Sequence, residues 1–186
     1  MRYSRDGDLF HYYWAARRSL ELLIPGTEMV ALTIEGASQT ELSDGSGKGD
    51  EIIDVAEYYG AESLEEGGRV VYRQLKHSTS QAESPWTMSG LKTTLEKFAA
   101  KYLDLKTRDF PLHESATFVF VSNRVVDTKV TNALTDIATA ATPRDAKAVA
   151  QMRLYLNLDS ATNEAEFCQR FSVDLRAPSL PPLVRK

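Results

Sequence analysis

The sequence predicts an α/β domain in which a central mixed β-sheet is flanked by helices. Short β-branched segments alternate with longer segments whose apolar residues recur at helical spacing, and these periodicities are the main signals of strand and helix. A chain of 186 residues can bury one sizeable core but is short for two compact domains. We expect one domain over residues 1–176 and a proline-rich linker over residues 177–186.

The N-terminal half of the sequence predicts one helix and three strands. Apolar residues recur at helical spacing from Asp8 to Leu23, and Pro25-Gly26 ends the pattern. The polar, glycine-bearing stretch from Ser38 to Gly49 predicts a loop. Three segments carry residues typical of strands: Met29 to Ile34, Glu51 to Tyr59, and Arg69 to His77. We expect the second and third strands to be antiparallel neighbours.

The C-terminal half continues the alternation of helix and strand. An amphipathic helix is predicted from Ser89 to Leu105, and we expect its lysines, Lys92, Lys97 and Lys101, to face solvent. The apolar run from Ala116 to Val121 is typical of a strand buried on both faces. The later pattern favours four further elements: helices over Thr128 to Ala141, Ala146 to Leu158 and Glu164 to Arg170, and a strand over Phe171 to Leu175.

Composition excludes several classes of protein. The single cysteine, Cys168, rules out a fold held by internal disulfides, and no apolar run reaches membrane-spanning length, so we expect a soluble cytoplasmic protein without a membrane partner. A net charge of -4 argues against a uniformly basic nucleic-acid binder, although a carboxylate-lined metal site would itself be acidic. The chain has no phosphate-binding loop and no nucleophile elbow.

Polar residues that interrupt the predicted central strands form the candidate site. Side chains alternate across a strand, so Gln74 and Lys76 share one face of the third strand. An antiparallel neighbour can bring Asp54 beside them, and Glu35 at the end of the first strand can join the group. We expect Asp54, Gln74, Lys76 and Glu35 to converge on one face of the sheet as catalytic residues.

This group suits metal-dependent hydrolysis of a phosphodiester. Mg²⁺ prefers hard oxygen ligands, and Mn²⁺ can replace it. The predicted ligands are the side chains of Asp54, Gln74 and Glu35 and the backbone carbonyl of Leu75. Lys76 would stabilise the charge that develops on the phosphate.

Other interpretations of these residues stay open. An acid followed by Gln-x-Lys also arises by chance, Asp54 and Lys76 could form a solvated ion pair, and Glu35 could be a surface residue at a turn. The flanking residues Ile52 and Val55 are apolar, however, and charges on central strands need a reason.

Four basic residues are candidates for contact with nucleic-acid phosphates: Arg17, Arg18, Arg73 and Lys92. Each could instead belong to a solvated or ion-paired surface. Trp14 is expected in the core rather than as a platform for base stacking. The histidines, His11, His77 and His113, lack the paired spacing of a zinc site, and we expect them to be structural or surface residues.

Four segments in about the first two-thirds of the chain together resemble a known family: Gly7 to Arg18, Ile34-Glu35-Gly36, Glu51 to Val55, and above all Tyr72 to Ser78. The family that they resemble is the double-stranded-DNA endonuclease domain of bacterial anti-phage effectors. That family belongs to the restriction-endonuclease-like superfamily, whose pattern is an Asp followed by Asp/Glu-x-Lys. Gln74 stands at the position of the second acid, and losing that negative charge should weaken binding of a divalent cation.

The resemblance implies a restriction-endonuclease-like core and Mg²⁺-dependent cleavage of double-stranded DNA in antiviral defence. It further implies homo-oligomerisation on activation and a sensor or NTPase domain in the same full-length chain, beyond the predicted linker. Two alternatives remain: a catalytically silent nuclease fold used for nucleic-acid binding or assembly, and an RNA nuclease on the same scaffold.

Overall fold

A computed structural model describes the chain over residues 3–38, 49–64, 66–78, 81–108 and 115–175. Most of the predicted loop from Ser38 to Gly49 lies outside these residues, and so do His113 and the predicted linker over residues 177–186.

Helices and strands alternate in the order that the sequence predicts. The helices are α1 (Tyr3–Ser19), α2 (Lys92–Thr107), α3 (Thr128–Ala138), α4 (Ala146–Leu156) and α5 (Ala161–Arg170). The strands are β1 (Met29–Ile34), β2 (Val55–Tyr59), β3 (Arg69–Lys76), β4 (Ala116–Ser122) and β5 (Phe171–Asp174). Short 3₁₀ helices cover Leu20–Leu23 and Asp50–Ile52. No helix among the described residues is long and apolar enough to cross a membrane.

The strands form one five-stranded mixed sheet in the order β1-β2-β3-β4-β5. β1 pairs antiparallel with β2, and β2 pairs antiparallel with β3, which confirms the expected neighbours. β4 runs parallel to both β3 and β5, and helices connect these parallel strands. β3 is therefore the central strand and carries Gln74 and Lys76 near its carboxyl end.

Helices cover both faces of the sheet. On one face α1 packs Phe10, Trp14 and Ala15 against Val71 and Leu75 of β3, and the predicted core position of Trp14 is confirmed. The other face lies against α2 to α5, whose largest buried aromatic residues are Phe98, Tyr102 and Phe167. The sheet with flanking helices is therefore the predicted α/β architecture.

The prediction that all three lysines of α2 face solvent was wrong for Lys101. Its side chain is fully buried, with Nζ 2.6 Å from Oδ1 of Asp50. Nζ also lies 5.4 Å from the centre of the Tyr72 ring. A buried charge needs a charged or polarisable partner, and Asp50 and Tyr72 provide both.

The same contact explains why the second strand is shorter than predicted, since Glu51 to Asp54 precede it. Gly49 adopts a left-handed φ of 85° directly beside α2, and the 3₁₀ helix Asp50–Ile52 follows. Burial of Ile52 and Ile53 then fixes the chain until Val55 enters the sheet. Apolar alternation alone could not reveal this turn, because the lysine that stabilises it is about fifty residues away in the sequence.

Candidate active site at one end of the sheet

Asp54 lies at the point where the chain enters β2, opposite the carboxyl end of β3. Val55 pairs with Arg73, so the register sets Asp54 across from Gln74. The backbone N–H of Asp54 donates to the carbonyl of Arg73 at 2.9 Å, and its Oδ2 accepts from the N–H of Leu75 at 2.6 Å. The carboxylate is thus held in place by the backbone of the central strand.

The electrostatic surroundings of Asp54 favour a bound cation. Burial raises the pKa of this carboxyl group above its usual value, although the Leu75 N–H, His11 and Lys76 act to lower it. Glu35 adds to the rise because its negative charge is close. A carboxylate with this destabilised charge gains from a positive ion placed against it.

Glu35 lies beside Asp54, at the end of β1. Its N–H donates to the Asp54 carbonyl at 2.9 Å, and its Oε1 accepts from the hydroxyl of Tyr12 at 2.8 Å. Glu35 has a φ of 60°, an uncommon conformation for a residue with a side chain. Residues in such conformations cluster at functional sites, and here the strained position brings a second carboxylate toward Asp54.

Gln74 is buried against α2. The Thr94 hydroxyl donates to Oε1 of Gln74 at 2.5 Å, so the amide oxygen is engaged in this arrangement. A hydroxyl can also accept a hydrogen bond. If the Gln74 amide were rotated by about 180°, its NH₂ group would donate to Thr94 and its oxygen would point away from Thr94. Thr94 is a partner of the site that sequence reasoning missed, since a threonine on an amphipathic helix carries no special signal.

Lys76 is the exposed residue at the end of β3. Among the described residues it forms no ion pair, yet it is close enough to Asp54 to lower the pKa of that carboxyl group. Its ammonium group therefore stands near the carboxylate and in contact with solvent.

His11 of α1 belongs to this group of residues, although the sequence suggested a structural or surface role. Its Nε2 lies 2.8 Å from the Leu75 carbonyl oxygen and its Nδ1 lies 3.5 Å from Oδ1 of Asp54. The signal that could have found it is helical phase: Trp14 and Ala15 face the sheet, and at 3.6 residues per turn His11 lies between them around the helix.

Some of the oxygen atoms at this end of the sheet are suitable ligands for a divalent cation. The Asp54 carboxylate and the Leu75 carbonyl lie at the same end of the sheet, and His11 contacts both. Within the described ranges no three His, Cys, Asp or Glu side chains are grouped closely enough to hold a metal ion. Mg²⁺ retains several waters in such open sites, so one or two carboxylates with a backbone carbonyl match its usual demands.

The basic residues predicted to contact phosphate have different surroundings. Arg18 donates from Nε to Oε1 of Glu57 at 2.7 Å, and Arg73 donates from Nη2 to Oε2 of Glu57 at 2.9 Å. Burial opposes ionisation of Glu57, but the two arginines outweigh it and lower the pKa of that carboxyl group. Arg18 therefore joins α1 to β2, Arg73 joins β3 to β2, and contact of either arginine with phosphate stays a prediction.

Arg17 and Lys92 are the more accessible members of that set. Arg17 is exposed near the end of α1 and Lys92 is exposed at the start of α2, where it pairs with Glu96 at 3.6 Å. An exposed pair of this kind contributes little to stability, so a phosphate could replace Glu96 at small cost.

Comparison with known protein families and with curated protein sequences finds no match to this chain.

Proposed function

We propose that this domain is a metal-dependent endonuclease that hydrolyses phosphodiester bonds of double-stranded DNA, with a restriction-endonuclease-like core. The observation that carries the proposal is the placement of Asp54 at the sheet end, where the Leu75 N–H holds its carboxylate. Lys76 and Glu35 affect the same carboxylate electrostatically. The resemblance to anti-phage effector nucleases supports this assignment independently of the geometry.

The side chains have distinct roles in the proposed reaction. Asp54 and the Leu75 carbonyl would hold the metal ion, with Glu35 beside them as a second carboxylate. Such an ion lowers the pKa of a bound water and polarises the phosphate. The Leu75 N–H keeps Asp54 in one orientation, and Lys76 offsets negative charge that develops on the phosphate oxygens. Gln74 would contribute its amide oxygen after the amide reverses against Thr94.

A plasmid assay tests the proposed function. The domain is incubated with supercoiled DNA and Mg²⁺ or Mn²⁺, and the same reaction is run with a chelator and with Asp54→Asn. We expect nicking that the chelator and the substitution both abolish, while Lys147→Ala, an exposed lysine on α4, cuts like the unchanged protein. Cutting that persists in chelator, or in Asp54→Asn, would contradict the proposal.

The engaged amide of Gln74 favours a second candidate, a catalytically silent nuclease fold that binds nucleic acid or supports assembly. Gln74 lacks the charge of the second acid, and its oxygen is bonded to Thr94. The same assay separates the candidates, because a silent fold would shift the mobility of DNA in a gel but leave supercoiled plasmid intact with every metal. Parallel reactions on RNA test the RNA nuclease.

A further inference from the structure

His11 reaches the candidate site from a different element than the other residues. α1 packs across the sheet through Phe10 and Trp14, and His11 lies at the edge of that contact with a half-buried side chain. Both ring nitrogens face polar groups: Nε2 faces the Leu75 carbonyl at 2.8 Å, and Nδ1 faces Oδ1 of Asp54 at 3.5 Å.

The first of these contacts fixes where the ring carries its hydrogen. A backbone carbonyl can only accept, so Nε2 must donate to Leu75. The other ring nitrogen, Nδ1, then faces the carboxylate of Asp54. This close approach is favourable if Nδ1 carries a proton or if a metal ion binds both atoms.

A divalent metal ion meets the geometric demands of that position. Donor atoms about 2.1 Å from one octahedral ion lie about 3.0 Å apart, so the separation between Nδ1 and Oδ1 needs only a small contraction. Histidines that bind metals almost always donate their other N–H to a carboxylate, a backbone carbonyl or water. The contact between Nε2 and Leu75 has this form.

We propose that His11 binds the metal through Nδ1 beside Asp54, so that the site holds first-row transition ions such as Co²⁺ more tightly than Mg²⁺. The inference rests on the proposed metal-dependent function. It replaces the Leu75 carbonyl, which accepts from the opposite side of the same ring, with a nitrogen ligand that sets the metal preference. Imidazole suits transition ions, whereas carboxylate and carbonyl oxygens suit Mg²⁺. Water and the substrate phosphate would complete the shell.

Calorimetric titration of the domain with Co²⁺ and with Mg²⁺, in the absence of DNA, tests this ligand. We expect His11→Ala to weaken Co²⁺ binding by about tenfold or more and Mg²⁺ binding by much less. His11→Gln is the second variant, since its amide can still donate to Leu75 but offers no ring nitrogen; it should fold and lose the preference for Co²⁺. Tyr13→Ala, an exposed change on the same helix, is the matched control and should bind both ions normally.

The outcomes separate the ligand from the nuclease function. Unchanged Co²⁺ affinity in a folded His11→Gln protein would overturn the role of His11, even if the domain cuts DNA. Equal losses of Co²⁺ and Mg²⁺ affinity would also overturn it, because they would indicate a general structural effect. A selective loss of Co²⁺ binding in a protein that never cuts DNA would support the ligand and contradict the nuclease.

Discussion

Lys76 should contribute much to the rate of cleavage and little to the stability of the fold. It is exposed at the end of β3 and forms no ion pair within the described part of the chain. An exposed residue without such a partner usually changes the free energy of unfolding by less than about 0.5 kcal/mol when replaced. A group that stabilises a transition state by its charge contributes far more to the rate.

For Lys76→Ala we therefore expect an unchanged fold, nearly unchanged DNA binding and a loss of cleavage rate on the order of a hundredfold to a thousandfold. DNA affinity should fall by no more than the share of one phosphate contact. Plasmid cleavage, a gel-shift titration and urea unfolding measure the three effects. Near-normal cleavage by the folded variant would make Lys76 a structural residue, and Lys147→Ala controls for loss of a surface charge.

Asp54 should differ from Lys76, because its carboxylate should be needed for cleavage and yet destabilise the fold. Burial raises the pKa of this carboxyl group, so the folded state binds a proton more readily than the unfolded state does. Above the pKa that Asp54 has in the folded state, its ionisation lowers the free energy of unfolding. This destabilisation decreases as the pH falls through that pKa. Such costs are common at functional sites, where activity needs groups that the fold alone would not favour.

Asp54→Asn should therefore stabilise the metal-free domain at pH 7 by about 1 kcal/mol while it abolishes cleavage. An amide oxygen can still accept from the Leu75 N–H, so the backbone contact is retained. Urea unfolding with chelator present measures the gain, which should shrink as the pH is lowered toward 4. A loss of stability at pH 7 would show that the carboxylate contributes to the fold rather than to a cation site.

At the scale of elements, the segment that leads into β2 depends on a close approach to α2. A Cβ on Gly49 would lie 2.3 Å from the carbonyl oxygen of Lys97, and the φ of 85° disfavours other residues. The ion pair between Asp50 and the buried Lys101 follows directly. Since Ile52 and Ile53 connect this contact to Asp54, the helix governs where the carboxylate lies.

Gly49→Ala should reduce both stability and cleavage. The left-handed backbone costs about 1 kcal/mol for alanine, and displacement from α2 should bring the total to about 3 kcal/mol. Gly67→Ala is the matched control, since Gly67 has the same φ and nothing within 4 Å of an added Cβ. Thermal unfolding and plasmid nicking of the two variants isolate the contact with α2. Equal effects would mean that this contact does not position Asp54.

The elements also show how far sequence reasoning reaches. Periodicity predicted the bounds of β1, because these depend on neighbours along the chain. It failed at Asp50 and Lys101, which form an ion pair across about fifty residues. It also missed His11 and Thr94, because packing of whole helices against the sheet decides which residues lie beside Asp54 and Gln74.

At the scale of the whole molecule, one proposed active site can cut one DNA strand. The net charge of -4 gives the domain little long-range attraction to DNA, so affinity must come from local contacts such as Arg17 and Lys92. Because affinity for DNA depends on the number of phosphate contacts and this domain offers few, an isolated domain should bind weakly at physiological salt. A second copy adds both a second set of contacts and a second active site.

We therefore expect nicked circles to accumulate before linear DNA, and linear product to rise more steeply than in proportion to protein concentration. Mixing the domain with excess Asp54→Asn protein provides the decisive measurement. If two copies act together, the inactive protein enters mixed assemblies and suppresses linearisation more strongly than nicking, because a mixed pair retains one working site. If single copies act independently, linear product forms by two separate nicks and falls only because the inactive protein competes for DNA. Excess Lys147→Ala protein is the control: it stays active, so adding it should not reduce the linear product. Linearisation in one step by a protein that ultracentrifugation shows to be monomeric would contradict cooperation between copies.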